Sequence, residues 1–90
     1  MGIAAVKIKI LPANPEADFE KLKENVKSII EKRGGKNPSF EEEPIAFGLK
    51  AIIALFAWPE ESELEALESS LNEMEDVSSI QVIDMRRAFG

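Results

Sequence analysis

The chain of 90 residues contains no cysteine, no histidine and no tyrosine, and it has a single tryptophan. Without cysteine it can form neither a disulfide framework nor a thiolate metal site. Without histidine it lacks both the commonest general base of enzymes and the commonest zinc ligand. Conventional catalysis is therefore poorly supported by the composition.

Basic residues are also few, because 11 lysines and arginines stand against 17 aspartates and glutamates, for a net charge of −6. Proteins that bind DNA or RNA usually carry a basic field that neutralises phosphates, so we expect no direct nucleic-acid binding. No segment reaches the roughly 18 apolar residues that a membrane helix needs. We therefore expect a soluble, cytoplasmic protein that does not enter a membrane.

Length and composition predict one domain over residues 1–90. Hydrophobic residues make up 44% of the chain and charged residues 31%, which is typical of globular proteins. A chain this short has a small core, so most of its apolar residues are needed for packing.

The first half of the chain is predicted to form a strand, a helix and a short strand. Apolar residues alternate with lysines in the segment VKIKI, as in a strand with one buried face. A helical apolar stripe follows and ends at Gly34 and Gly35: Phe19, Leu22, Val26, Ile29 and Ile30. Either Asp18, or Asn14 with Pro15 as the first helical residue, is suited to begin this helix. The short strand is expected at residues 40–43.

The second half repeats this order with a longer strand over residues 47–58. Its unbroken apolar run from 51 to 58 favours a central strand covered on both faces. Ser62 and Glu65 have the spacing of a capping box for a second helix. That helix has its own apolar stripe: Leu64, Leu67, Leu71 and Met74. A last strand is predicted from Val77 to Ile83, followed by a basic tail.

Two β-α-β halves of similar length assemble naturally into a ferredoxin-like sandwich of order β-α-β-β-α-β. This fold is α+β. It places two amphipathic helices on one face of a four-stranded antiparallel sheet and leaves the other face open.

The many carboxylates lie in the helices and in the run at residues 41–43, where solvated acidic surface is the simplest interpretation. No phosphate-binding glycine loop, nucleophile elbow or metal-ligand spacing is present, and no histidine can activate the serines. We expect no catalytic residue, no bound metal and no cofactor.

The long strand raises the question of which alternate residues face the helices. If Leu49, Ala51, Ile53 and Leu55 do so, then Phe56 and Trp58 lie on the open face and form an apolar patch of the kind found at protein interfaces. Alternatively, a dimer partner or a loop covers these two rings, or the opposite set of residues faces the helices.

The segment EEEPIAFGLKAIIALF, residues 41–56, resembles the strand entry of the archaeal translation elongation factor 1-beta family. The resemblance covers the whole chain and includes the helix start DFEKLK and the ending VSSIQVIDMRRAFG. Its most specific part is the string PIAFGL. Members of this family act as nucleotide-exchange factors for the GTPase that carries aminoacyl-tRNA.

The resemblance implies two places that contact the GTPase. Phe47, followed by Gly48, matches the phenylalanine of a Gly-Phe-Gly motif that enters a hydrophobic pocket of the GTPase near its switch region, with Ala46 in place of the first glycine. A lysine near the end of the related factor approaches the magnesium and phosphate-binding loop. Arg87 aligns with it, and either Arg87 or Arg86 could act there, although an arginine is not interchangeable with a lysine.

These implications predict an exchange factor that is not an enzyme, is monomeric when free and binds a GTPase of the elongation factor 1-alpha type. The alternative is a homodimeric regulatory module of ferredoxin-like fold that binds a small molecule and associates through its open sheet face.

Overall fold

A computed structural model describes residues 2–14, 18–45 and 48–89. Four strands form one sheet: β1 is Ile3–Pro12, β2 is Lys36–Pro44, β3 is Lys50–Pro59 and β4 is Val77–Phe89. The helices are α1, Phe19–Lys32, between β1 and β2, and α2, Leu64–Asn72, between β3 and β4. All neighbouring strands pair antiparallel, in the order β2-β3-β1-β4. The predicted ferredoxin-like fold is confirmed.

Of the two starts that the sequence allowed for the first helix, the structure has the one at Asp18. A carboxylate oxygen of Asp18 accepts hydrogen bonds from the backbone N–H groups of Glu20 and Lys21, at 3.1 and 3.3 Å. These bonds satisfy two of the free amides in the first turn, so Asp18 is the N-cap residue. The helix ends as predicted, because Gly34 follows it with a φ of +105°, a conformation that favours glycine.

The second helix does not use the predicted capping box. It begins at Leu64 after the N-cap residue Glu63, and no side chain caps it. The carbonyl of Ser62 instead accepts a hydrogen bond from the indole Nε1–H of Trp58 at 3.2 Å. The Ser-x-x-Glu spacing was thus misleading here, because Ser62 belongs to the turn that follows β3.

The core lies between the sheet and the two helices, and it contains one alternate set of residues from each central strand. The buried cluster comprises Ala4, Val6, Ile8 and Ile10 of β1, Ile52, Ala54, Phe56 and Trp58 of β3, Leu22, Val26 and Ile30 of α1, Leu67 and Leu71 of α2, and Val77. Phe56 and Trp58 are 4% and 1% exposed and meet edge to face, with ring centroids 6.0 Å apart.

Of the two alternatives for β3, the one that puts Phe56 and Trp58 on the open face is therefore wrong, and the one in which the opposite set faces the helices is confirmed. The set Ile52, Ala54, Phe56 and Trp58 faces the helices, and the set containing Ile53 and Leu55 faces the other way. An unbroken apolar run has no polar residue at alternate positions, so it cannot indicate which set is turned inward. The expectation that β3 is covered on both faces is confirmed near its start, since Ala51 and Ile53 are also buried.

Two strands are longer than the sequence predicted. β2 extends back to Lys36 and passes through an irregular pairing, with Asn37 at a φ of +54°. β4 continues to Phe89, so the predicted basic tail is part of a paired strand. In the described part of the chain, no helix is long and apolar enough to cross a membrane.

Candidate functional site

The connection between β2 and β3 is short and depends on a glycine. The backbone N–H of Ile45 donates to the carbonyl of Leu49 at 2.8 Å, which closes the connection between the two strands. Gly48 is exposed and has a φ of +75°. A Cβ atom there would meet no atom within 4 Å, so backbone conformation and not space requires a glycine. Ala46 and Phe47 lie outside the described residues.

The base of this connection is tied to α1 by charges. Glu42 near the end of β2 accepts a hydrogen bond from Lys23 Nζ at 2.9 Å and lies 3.5 Å from Lys50 Nζ. The hydrogen bond from Lys23, together with its charge, holds the pKa of Glu42 below its ordinary value of 4.5. The same hydrogen bond raises the pKa of Lys23 above 10.5. These contacts fix the end of β2 from which the connection projects.

Arg86 and Arg87 lie on β4 with their side chains on opposite faces of the sheet. Arg87 is opposite Ala4, which belongs to the core, and Arg86 is opposite Ala5, which is exposed on the open face. Directly opposite residues of antiparallel strands share a face. Arg87 is therefore on the helix side and Arg86 on the open side, so one flat partner surface cannot receive both.

Each arginine has an acidic partner. Nε of Arg87 lies 3.0 and 3.1 Å from the two carboxylate oxygens of Glu60, in the turn after β3. Nε of Arg86 lies 3.1 Å from a carboxylate oxygen of Asp84, two residues earlier on the same strand. The first pair joins two distant parts of the chain, and the second is local to β4.

The two predicted contact regions lie at opposite ends of the sheet. Ala4 pairs with both Arg87 and Trp58, near the end of β3, whereas the β2–β3 connection precedes Lys50 at its start. At about 3.4 Å per residue, Lys50 and Trp58 are roughly 27 Å apart. The longest dimension of the molecule is 41 Å. Among the described residues, Gly48 thus lies far from Arg86 and Arg87 and does not form one cluster with them.

Sequence reasoning missed two features of these ends. Nothing in the sequence indicates that Glu60 pairs with Arg87, because Glu60 stands in an acidic run far from Arg87 in the chain. An open recess of about 550 Å³ lies beside the β2–β3 connection, on the open face, and its lining includes Lys9, Leu11, Ile45 and Leu49. Only strand register brings these residues together.

No cluster of three or more metal-ligating side chains is found among the described residues.

The chain matches known proteins along nearly its whole length. A family model described as the EF-1 guanine nucleotide exchange domain matches residues 5–88. Elongation factor 1-beta of Methanocaldococcus jannaschii is 37% identical over 89 residues, which are 98% of this chain and 100% of that protein. The protein of the same name from Methanosarcina acetivorans is 40% identical over 88 residues, 97% of this chain and 99% of that protein. The resemblance seen in the sequence is confirmed.

Proposed function

Because this chain belongs to the EF-1 guanine nucleotide exchange domain family and promotes exchange of GDP for GTP on the elongation GTPase, we propose that it binds that GTPase through the two ends of its sheet. The match over residues 5–88 carries this proposal, since it includes both ends. One end supplies Phe47 and Gly48. The other supplies Arg87 on the helix side of the sheet or Arg86 on its open side. The partner is a GTPase of the elongation factor 1-alpha type.

The distance between the two ends of the sheet supports different roles for them in binding the GTPase. Groups roughly 27 Å apart along a strand cannot both reach one magnesium ion. We therefore assign the approach to the nucleotide site to the cationic end, and an apolar anchor on another part of the GTPase to the end that carries Phe47. Gly48 at this end is exposed and has a positive φ, a conformation that favours glycine, and we assign the anchor to its neighbour Phe47.

Exchange by this route requires only that the factor binds the nucleotide-free GTPase more tightly than the GDP-bound GTPase. A GTPase holds GDP through magnesium, a lysine and backbone amides around the phosphates. A factor that prefers the nucleotide-free form must weaken GDP binding by the same ratio. Loosening GDP by about 10³ to 10⁵ requires about 4–7 kcal/mol of differential affinity. One buried aromatic side chain supplies about 2–4 kcal/mol at an interface, and a cation near the magnesium site adds repulsion.

The protein acts in this proposal without covalent chemistry, cofactor or metal of its own. It works as a monomer in the cytoplasm, where the GTPase carries aminoacyl-tRNA, and it contacts the GTPase without touching nucleic acid directly. The net charge of −6 is consistent with the last point.

The alternative of a homodimeric small-molecule module is not supported. Its basis was an apolar patch at Phe56 and Trp58 on the open sheet face, and both rings are buried in the core. On the open face, Ile53 is flanked in register by Glu41 and Lys9, so charged side chains flank the apolar centre of the sheet.

The test is the release of a fluorescent GDP analogue from an archaeal elongation factor 1-alpha, measured with and without this protein. We expect release to accelerate with protein concentration and to saturate in the micromolar range. Release that stays at the spontaneous rate at these concentrations contradicts the proposal. Size-exclusion chromatography with light scattering tests the monomeric state separately.

A further inference from the structure

The turn after β3 supplies a carboxylate at the end of the sheet where Arg87 lies. The backbone N–H of Glu60 donates to the carbonyl of Gly2 at 3.0 Å, and the preceding Pro59 pairs with Ile3 of β1. The Glu60 side chain is 27% exposed and the Arg87 side chain 69%. Glu60 is therefore the fixed member of the pair, and Arg87 is the flexible side chain that it holds.

The contact uses one side of the guanidinium. Both hydrogen bonds from Arg87 to Glu60 come from Nε–H. An arginine has five N–H donors in a rigid plane, and the other four are on Nη1 and Nη2. Among the described residues, none accepts a hydrogen bond from these Nη groups. Within the described part of the chain, Nη1 and Nη2 of Arg87 are thus left to contact a partner, while Nε is held by Glu60.

We propose that Glu60 is a positioning residue for exchange, which orients Arg87 so that its Nη groups meet the GTPase. The inference rests on the proposed function, which assigns the approach to the nucleotide site to the end that carries Arg86 and Arg87, and it selects Arg87 as the residue that makes this contact. A free arginine side chain loses much rotamer freedom when it is fixed at an interface. Because Glu60 restricts Arg87 before binding, less of that freedom remains to be lost.

Arg86 differs in the way its partner is held. Its partner Asp84 is on the same strand and is itself 40% exposed, and Arg86 is 80% exposed. That pair joins no second element of the fold. Glu60, in contrast, belongs to a turn anchored to β1, so it can hold Arg87 in a set position relative to the whole sheet.

The experiment compares Glu60→Gln with Glu61→Gln, which makes the same change of charge at the next, exposed residue. Two quantities are measured: the GDP-analogue release rate as a function of factor concentration, and the NMR resonance of the Arg87 Nε–H group in the free protein. We expect Glu60→Gln to lower exchange efficiency about threefold to tenfold and to shift the Arg87 resonance. Glu61→Gln should leave both unchanged.

An Arg87→Ala background shows whether Glu60 acts through the arginine. In that background, Glu60→Gln should cause no further loss of exchange efficiency, measured as the GDP-analogue release rate against factor concentration. The inference is overturned if Glu60→Gln exchanges as fast as Glu61→Gln, or if its effect persists without Arg87. If the unchanged protein does not accelerate GDP release, the proposed function fails and this inference fails with it. If Glu60→Gln shifts the Arg87 resonance but leaves the release rate unchanged, the contact is only a structural ion pair and the inference is overturned.

Discussion

Lys23 of α1 and Glu42 of the edge strand β2 form a hydrogen-bonded ion pair with Nζ and Oε2 2.9 Å apart. The pair links the helix layer to the strand that leads into the β2–β3 connection. Lys50, at the start of β3, lies on the other side of the same carboxylate. Glu42 is thereby paired with a lysine of α1 and with a lysine of β3.

This pair predicts a defined pH dependence of stability. The pKa of Glu42 is lowered in the folded state, so its contribution is present above 4.5 and is lost as pH falls through the folded value. The pKa of Lys23 is raised, so its contribution is present below 10.5 and is lost as pH rises through the folded value. Lys23→Gln should therefore reduce the free energy of unfolding most between these two values.

Urea denaturation of the unchanged protein and of Lys23→Gln over a series of pH values measures this difference. The difference in free energy of unfolding between the two proteins should narrow in acid, and also in high salt because the pair is partly exposed to solvent. If this difference in free energy of unfolding stays constant from neutral pH through acid, Lys23 contributes to stability by packing and not by its charge. Lys27→Gln, on the same helix, is the matched control.

The burial of Phe56 predicts a large loss of stability when its ring is removed. Phe56→Ala deletes a core side chain that contacts Trp58 edge to face, and such truncations cost about 3–5 kcal/mol. Leu55→Ala, one position earlier on the open face, should cost clearly less because Leu55 is only half-buried. Chemical denaturation checks both values. The reverse order of the two costs would mean that the opposite face of β3 meets the helices.

A glycine is predicted to be required at position 48 because the backbone there has a positive φ. Gly48→Ala places a Cβ at a φ of +75° in open space, so strain alone should lower the free energy of unfolding by about 1–2 kcal/mol. Gly34→Ala is the control, because Gly34 also has a positive φ and no atom within 4 Å of an added Cβ. Both variants should lose stability, but only Gly48→Ala should slow GDP release. Equal effects of both on release would remove the functional role of Gly48.

Phe47→Ala is predicted to impair exchange without unfolding the protein. If the ring is an interface anchor worth about 2–4 kcal/mol, its loss should weaken binding to the nucleotide-free GTPase about 30-fold to 1,000-fold. The melting temperature should change little. A large drop in melting temperature, with exchange preserved in the folded fraction, would instead make Phe47 a core residue.

Local signals in the sequence were reliable where one short segment contains all the interacting groups. Asp18 was recognisable as a helix cap because its acceptors and donors lie within three residues of one another. The capping box at Ser62 was wrong because this residue lies in the turn after β3, where its N–H donates to the carbonyl of Pro59, and the helix begins only at Leu64. The length of β4 was underestimated because its last residues are strand only by pairing with β1.

The order of elements, the ferredoxin-like fold and the family could all be predicted from the chain, because hydrophobic periodicity, turn residues and the string PIAFGL are local features. Which face of β3 is core could not be predicted in this way, since it depends on where the helices pack. The tertiary structure decided this, and also that Arg86 and Arg87 lie on opposite faces and that Glu60 holds Arg87. These relationships join residues far apart in the chain, and only strand register brings them together.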